Sequence, residues 1–346
     1  MTESEELTSD EIALYDRQIR LWGMATQLRL RSAKILIIRF GGTGTEIVKN
    51  LVLGGINSIE IMDNSVVKEE DFATQFFLPN DDSVIGKPKL PLVIDRIKEL
   101  NSLVNLSINM DPLAAFENPQ YFTQFDLIVA TELDKTTLFQ LNDITRSFNI
   151  PLYVAGVHGL FGYIFADLIK HVSVSEKDTG NQHREPNTKL TRTKTITDVA
   201  YDEKTKKETI TISDDFVPIS EVLTSHNLPT QLNKRQMRRL SAALPLIFAL
   251  FDINKPADPE QVVDEELLAE QGRKVCKELQ IPTTVISEEY VRLLSNQAYT
   301  EYAPVTAILG GTLAQDIIQF LSKKESPINN VLILDSIKSE MPIYAL

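Results

Sequence analysis

Between residues 34 and 63 the apolar positions change period twice, and the change predicts a βαβ unit. Ile35 to Ile38 is a short continuous apolar run, rich in β-branched side chains. Such a run fits a strand buried on both faces, as in a parallel sheet. Gly41, Gly42 and Gly44 then break the chain. From Thr45 to Leu53 the spacing becomes helical, with Ile47, Val48, Leu51 and Val52 on one face. Ser58 to Met62 reads as a second strand and ends in Asp63. Strand, glycine turn, helix, strand and acid is the layout of a mononucleotide-binding unit, in which glycines admit a phosphate to a helix N-terminus and the acid takes ribose hydroxyls. One position departs from the fingerprint. Arg39 stands where its first glycine should be, so a long side chain enters a turn that needs none. The turn therefore has two readings, a phosphate cradle or a fold element that holds nothing.

The same patterns continue along the chain. Residues 1–9 are expected to be a disordered tail. Asp10 to Gly23 reads as one helix, capped by Ser9 or Asp10, with Ile12, Tyr15, Ile19 and Trp22 on one side and Asp16, Arg17 and Arg20 on the other. Helices are expected at Pro88 to Leu100 and Lys135 to Phe148, and strands at Val104 to Ile108, Asp126 to Thr131, Leu152 to Ala155 and Tyr163 to Leu168. Gly156, Gly159 and Gly162 are expected to turn the chain between the last two, with His158 in that turn. Residues 175–196 are polar and read as a mobile loop. A strand at Thr209 to Ile212 and helices at Val217 to Leu223, Lys234 to Phe251 and Asp264 to Leu279 follow. Pro304 to Leu321 is a helix whose Gly310 and Gly311 would pack closely on the sheet, and Asn330 to Asp335 is a strand. The reading is an α/β protein whose nucleotide-fold domain is discontinuous. Residues 10–172 and 301–346 form it, and 173–300 are a partly helical insert.

Composition narrows the function classes. The 346 residues are 43% hydrophobic and 24% charged, as in globular proteins. A net charge of −13 argues against broad nucleic-acid binding. No apolar run is expected to reach membrane-spanning length, and the acidic N-terminus is unlike a signal or presequence, so no membrane partner is expected. Cys276 is the only cysteine. It permits no internal disulfide or cysteine-based zinc site, and it suits a reducing compartment.

The candidate chemistry lies in few places. Arg17 and Arg20 either form a solvated helix face or reach a partner's anionic ligand, since a guanidinium grips phosphate oxygens in pairs. Cys276 falls well inside a helix, where packing is a better account than nucleophilic attack. His158 reads as a structural or solvated loop histidine, with a catalytic role as the other reading. The basic run 233–239 is a solvated helix face, a nuclear-import signal or a modifier-binding face.

The motifs Y-D-R-Q-I-R-L-W-G at 15–23, Q-F-F at 75–77, G-K-P-K at 86–89, P-L-Y-V-A-G at 151–156, A-P-V-T-A-I-L-G-G-T-L-A-Q-D at 303–316 and N-N-V-L-I-L-D at 329–335 go further. Together they resemble the activating enzymes for ubiquitin-like modifiers, which share the Rossmann-like adenylation fold of ThiF and MoeB. By length and by the run P-L-Y-V-A-G-x-x-G-L-F, the resemblance is to the smaller, non-cysteine subunit of the SUMO-activating heterodimer of fungal type. It implies a chain that works with a catalytic-cysteine subunit, with SUMO and, through the holoenzyme, with a conjugating enzyme. It implies ATP and magnesium held mainly by that partner, and a nuclear location with the cytoplasm as a second compartment. Arg17 matches the arginine that reaches across the dimer to the partner's ATP phosphates, with Arg20 in support. This chain's own site is implied to be vestigial. Gly41, Gly42, Gly44, Asp63 and Lys89 match the family pattern, but its Asn-Arg pair falls on Ala73 and Thr74. Asp63 and Lys89 would then be a strand-end carboxylate and a solvated lysine. Asp134 lies near the expected magnesium aspartate but is out of register, so no metal ligand is assigned. The insert would be a remnant of the catalytic-cysteine region. A self-sufficient homodimeric adenylyltransferase, a scaffold for the catalytic subunit and, last, a nicotinamide dehydrogenase using Asp63 remain as other readings.

Overall fold

A computed structural model describes residues 7–180, 183–258 and 261–346. Three helices come first: α1 (Ser9–Leu14), α2 (Asp16–Trp22) and α3 (Met24–Ser32). β1 (Lys34–Ile38), α4 (Gly42–Gly54) and β2 (Ser58–Met62) then form the expected βαβ unit. α5 (Lys89–Lys98), β3 (Asn105–Asn109), α6 (Pro112–Glu117), β4 (Leu127–Thr131), α7 (Lys135–Ser147), β5 (Leu152–His158) and β6 (Phe161–Asp167) follow. The middle of the chain gives β7 (Lys170–Asp178), β8 (Thr188–Lys189), β9 (Lys194–Asp202) and β10 (Lys207–Asp215). After them come α8 (Ile219–Leu223), α9 (Leu228–Gln231), α10 (Lys234–Arg239), α11 (Ala243–Leu250), α12 (Glu265–Glu278) and α13 (Glu288–Gln297). The chain closes with α14 (Ala303–Ser322), β11 (Val331–Asp335) and β12 (Ile343–Tyr344).

The main sheet has the order β12-β11-β6-β5-β4-β1-β2-β3. β3, β2, β1, β4 and β5 pair in parallel, while β6, β11 and β12 add antiparallel edges. The period of two sends Ile35 and Ile37 of β1 to one face and Leu36 and Ile38 to the other. α4, α5 and α14 cover the first face, and α7, α11, α12 and α13 cover the second. This is why β1 is apolar at successive positions. The strand order reverses between β1 and β4, and α/β sheets bind ligands in the crevice at the carboxyl ends of strands on either side of such a reversal.

The N-terminal helix differs from expectation. Leu7 is buried and Thr8, not Ser9 or Asp10, caps α1 in a capping box with Glu11; residues 1–6 of the expected tail lie outside the described residues. The expected single helix breaks at Tyr15, whose hydroxyl accepts from the Asn101 amide at 2.8 Å. The Tyr15 ring lies over Gly55, where a Cβ would come within 2.6 Å of it. Gly55 has φ +78°, so both its backbone and its neighbour demand glycine there. Tyr15 is the one buried member of the expected apolar stripe, while Leu14 and Leu21 stand out at 60% and 77% exposure. α3 had no sequence signal. Its buried positions are Thr26, Gln27 and Leu30, and Gln27 donates to the Gly54 carbonyl at 3.0 Å.

The middle of the chain also corrects the reading. The stretch 175–196 is not a plain loop, because β7 runs to Asp178, β8 lies within it and β9 starts at Lys194; residues 181–182 are outside the described residues. These strands form a second sheet, β7-β10-β9-β8, antiparallel throughout. Its strands look polar because much of their surface faces solvent, with only positions such as His171, Ser173 and Ile196 buried. The expected helix Lys234 to Phe251 is two helices, and α11 is buried along its whole length. Gly159 alone turns the β5–β6 connection, with φ +60°, while Gly156 and Gly162 sit inside the strands. α14 has 20 residues and a mean hydropathy of 1.2, which by length and composition suffices to cross a membrane. Here it packs on α4, and Gly310 permits it, since a Cβ there would come within 2.6 Å of the Glu46 Cβ. Gly311 meets open space, so only one of the two glycines has the packing role, and it packs on a helix rather than the sheet.

Candidate functional site

The glycine turn leaves β1 at the reversal of strand order, where a nucleotide phosphate would be expected. Arg39 takes the left-handed backbone of the missing glycine, with φ +66°. Its exposed side chain does not fill the turn, as expected, but donates to the Glu132 carbonyl beyond β4. Arg39 and Glu132 thus tie the two lips of the crevice together. Gly44 is required by the close backbone: a Cβ would lie 2.9 Å from the Arg39 carbonyl oxygen.

The N-terminus of α4 holds an anion, and the anion is part of the chain. Gly42 N–H donates to both carboxylate oxygens of Glu301 at 2.8 Å. The Thr74 hydroxyl donates to Glu301 Oε2 at 2.6 Å. A Cβ on Gly41 would collide with the same carboxylate, and one on Gly42 would lie 2.5 Å from the Thr74 Cβ. Free N–H groups and the helix dipole favour negative charge at this point, and Glu301 supplies it. Glu132 stands close by and accepts from Val157 N–H at 2.9 Å. Burial and, second, the negative charge of Glu301 push the Glu132 carboxyl up to about 8.

The two remaining family positions are spoken for. Asp63 accepts from Phe40 N–H at 2.9 Å and from the Ser65 N–H and hydroxyl at 2.8 and 2.9 Å. Both its oxygens are therefore committed to the turn and the loop after β2. Lys89 is not a solvated lysine. It is buried and paired with Asp71 at 2.7 Å, and Gln75 donates to the same Asp71 oxygen at 2.6 Å. Asp134 caps α7, accepting from Thr137 N–H at 3.0 Å and from its hydroxyl at 2.6 Å. Among the described residues no His, Cys, Asp and Glu group could hold a metal ion. ATP and its magnesium do not fit this turn as it stands: the phosphate seat contains a carboxylate, the acid is bonded to backbone and the lysine is neutralised.

Arg17 and Arg20 lie elsewhere. α2 rests on the far end of α4, where Gln18 donates to the Leu53 carbonyl at 3.1 Å. α4 has 13 residues, so about 20 Å of helix separates that end from the glycine turn. That span exceeds the reach of an arginine side chain. Arg17 is exposed and no ion pair holds it among the described residues, whereas Arg20 pairs with Asp16 at 3.1 Å on the surface.

The other candidates resolve into structure. His158 ends β5, buried, and its Nδ1 accepts from Tyr299 N–H at 3.0 Å; burial and then Lys255 hold its imidazole down at about 3. Cys276 is buried on α12, and burial pushes its thiol up to about 11. The basic run forms α10, capped by Asn233, with its lysine and arginines exposed. Glu301 and Glu132, which decide the state of the turn, carried no sequence signal. Glu301 is 259 positions from Gly42, and neither residue sits in the glycine pattern.

Comparison with known proteins agrees with this architecture. The sequence matches the ThiF family over residues 15–346. It is 39% identical to the DNA damage tolerance protein RHC31 of Saccharomyces cerevisiae, over 98% of each chain. It is 30% identical to the SUMO-activating enzyme subunit 1 of Homo sapiens, over 98% of this chain and 97% of that one. Among solved structures, E. coli MccB with succinimide superposes with a TM-score of 0.54 at 14% identity, covering 96% of this chain and 71% of that one. PaaA gives a TM-score of 0.55 at 14% identity, covering 99% and 75%. These last two speak for the fold alone. With its parallel-rich α/β sheet, glycine turn and family match across nearly its whole length, this chain belongs to the ThiF family.

Proposed function

We propose that the chain is the smaller, non-cysteine subunit of a SUMO-activating heterodimer. In this role it supports ATP-dependent adenylation of the SUMO C-terminus and thioester formation on the partner subunit, and the holoenzyme then serves a conjugating enzyme. ATP is a substrate and magnesium a cofactor of the partner's site, and this chain is inactive alone. Relatives bearing the name SUMO-activating enzyme subunit 1 support the reading. The observation that carries it is the separation of Arg17 from the chain's own turn by the length of α4. An exposed arginine with no ion pair among the described residues, too far from its own turn to serve it, supports a role at another site. Arg17 shares one face of α2 with exposed Leu21, at i+4, which suits docking on a partner. As pyrophosphate departs, negative charge accumulates, and a guanidinium aimed at it lowers that barrier. Arg20, held by Asp16, has a supporting role. The nucleus, with the cytoplasm as a second compartment, is the location this assignment carries with it.

The test is ATP–pyrophosphate exchange with SUMO, measured for this chain, the catalytic subunit and their mixture. Exchange in the mixture alone is the expected result. Exchange by this chain alone would favour a self-sufficient homodimeric adenylyltransferase and refute the split enzyme.

A further inference from the structure

The geometry points to Glu301 as a built-in anion that occupies the phosphate seat of this chain's own glycine turn and closes it to polyphosphate ligands. The seat is a real one: the N-terminus of a 13-residue helix, two glycines whose Cβ positions the carboxylate and Thr74 already fill, and a hydroxyl donor. The carboxylate in it accepts every hydrogen bond there that a phosphate oxygen would take from Gly42 and Thr74. Two anions cannot share these donors, so a ligand phosphate must first expel Glu301.

Expulsion is opposed by more than the carboxylate's own bonds. The preceding residues are stitched to the rest of the fold. Gly159 N–H donates to the Thr300 carbonyl at 2.7 Å, and Tyr299 N–H donates to His158 at 3.0 Å. The Tyr299 hydroxyl donates to the Leu250 and Ile253 carbonyls at 2.7 and 2.6 Å. Glu301 is thus tethered within reach of the seat at all times, and a free ligand competes against that high effective concentration. Glu132 is a second barrier. Burial first and the charge of Glu301 second raise its carboxyl, so removing Glu301 alone takes away the smaller cause and leaves a second acid beside the seat. The clean variant therefore changes both.

The test uses the full chain alone, without SUMO or a partner, so its outcome does not depend on the role given to Arg17. Inorganic pyrophosphate and Mg-ATP are titrated separately by calorimetry into the wild type, Glu301→Gln, Glu301→Ala and Glu301→Ala with Glu132→Gln. The wild type is expected to bind neither at millimolar concentration. The double variant is expected to bind pyrophosphate at least tenfold more tightly than the wild type, and Glu301→Gln less so, because its amide oxygen still accepts from Gly42. Mg-ATP tighter than pyrophosphate in the double variant would mark the seat as a nucleotide site; equal affinity would mark it as a site for the polyphosphate group. Both support the plug. A double variant that melts like the wild type and gains no affinity for either ligand would overturn it, as would a wild type that binds pyrophosphate as tightly as the variants. If the alanine variants do not fold, Glu301→Gln decides by the same comparison.

Discussion

Glu301 and Gly42 are 259 positions apart, yet the Gly42 N–H donates at 2.8 Å to both oxygens of the Glu301 carboxylate. The pair joins the segment just before the last helix of the chain to the first glycine turn. It separates two surfaces of the chain: a turn already satisfied from within, and an N-terminal helix at the opposite end of α4 whose Arg17 has no ion pair among the described residues.

Arg17→Ala is expected to slow adenylation by the heterodimer by about a hundredfold, the usual scale for loss of one preorganised charge contact in a transition state. The dimer should remain intact on gel filtration, because the guanidinium is exposed and in no ion pair among the described residues, so its loss leaves this chain's fold in place. Single-turnover formation of the SUMO adenylate reads the effect. A rate equal to wild type would make the chain a scaffold.

Lys89→Met leaves Asp71 buried without its cation, both side chains being only 9% exposed. A buried pair broken on one side costs about 3 kcal/mol or more. Urea denaturation should show that loss. The adenylation rate per folded heterodimer should not change, because Lys89 serves the fold and not the chemistry. A rate that falls with the fold intact would return Lys89 to a working site.

Glu132 couples the turn to pH. Its folded value is raised from 4.5 to about 8, so the folded chain keeps a proton that the unfolded chain has released between those values. The stability it contributes is complete below 4.5 and is lost as pH rises through about 8. Glu132→Gln cannot ionise, and its carbonyl can still accept from Val157. Denaturation midpoints across this window should fall less with pH in the variant, which should be the more stable at the upper end. Parallel pH profiles would contradict the buried proton.

Cys276→Ala should leave thioester formation by the heterodimer unchanged, in agreement with a packing role on α12. With the thiol held up to about 11, alkylation of the folded chain at neutral pH should be roughly a hundredfold slower than that of a free cysteine, since the thiolate is the reactive species. Labelling by iodoacetamide before and after denaturation measures it. Rapid labelling of the folded chain would reopen Cys276 as a nucleophile.

The sequence made the sheet legible wherever burial was strong. Ile35 to Ile38 and Leu127 to Thr131 are strands buried on both faces, and their shortness and β-branched content favour strand over helix. The polar strands of the second sheet were read as a loop because solvent covers much of them and their pairing is long-range. The break at Tyr15 could not be seen either, since it answers to Asn101 and Gly55 and not to its neighbours in sequence. At the site, the residue types were legible and their state was not. Lys89 as a lysine suggested a phosphate contact, but Asp71 neutralises it. Arg39 suggested an obstructed turn, but its backbone adopts the glycine conformation and its side chain leaves. The deciding group, Glu301, arrives from the far end of the chain, where only the folded topology brings it to the turn.

The internal carboxylate has a consequence for the economy of the cell. A domain whose phosphate seat is filled by a small molecule gains stability in proportion to the logarithm of that molecule's supply. This chain carries the occupant in its own sequence, so its fold is indifferent to the rise and fall of the nucleotide pool. With ATP held by the partner subunit, as proposed above, the nucleotide supply would act on that subunit and not on this turn.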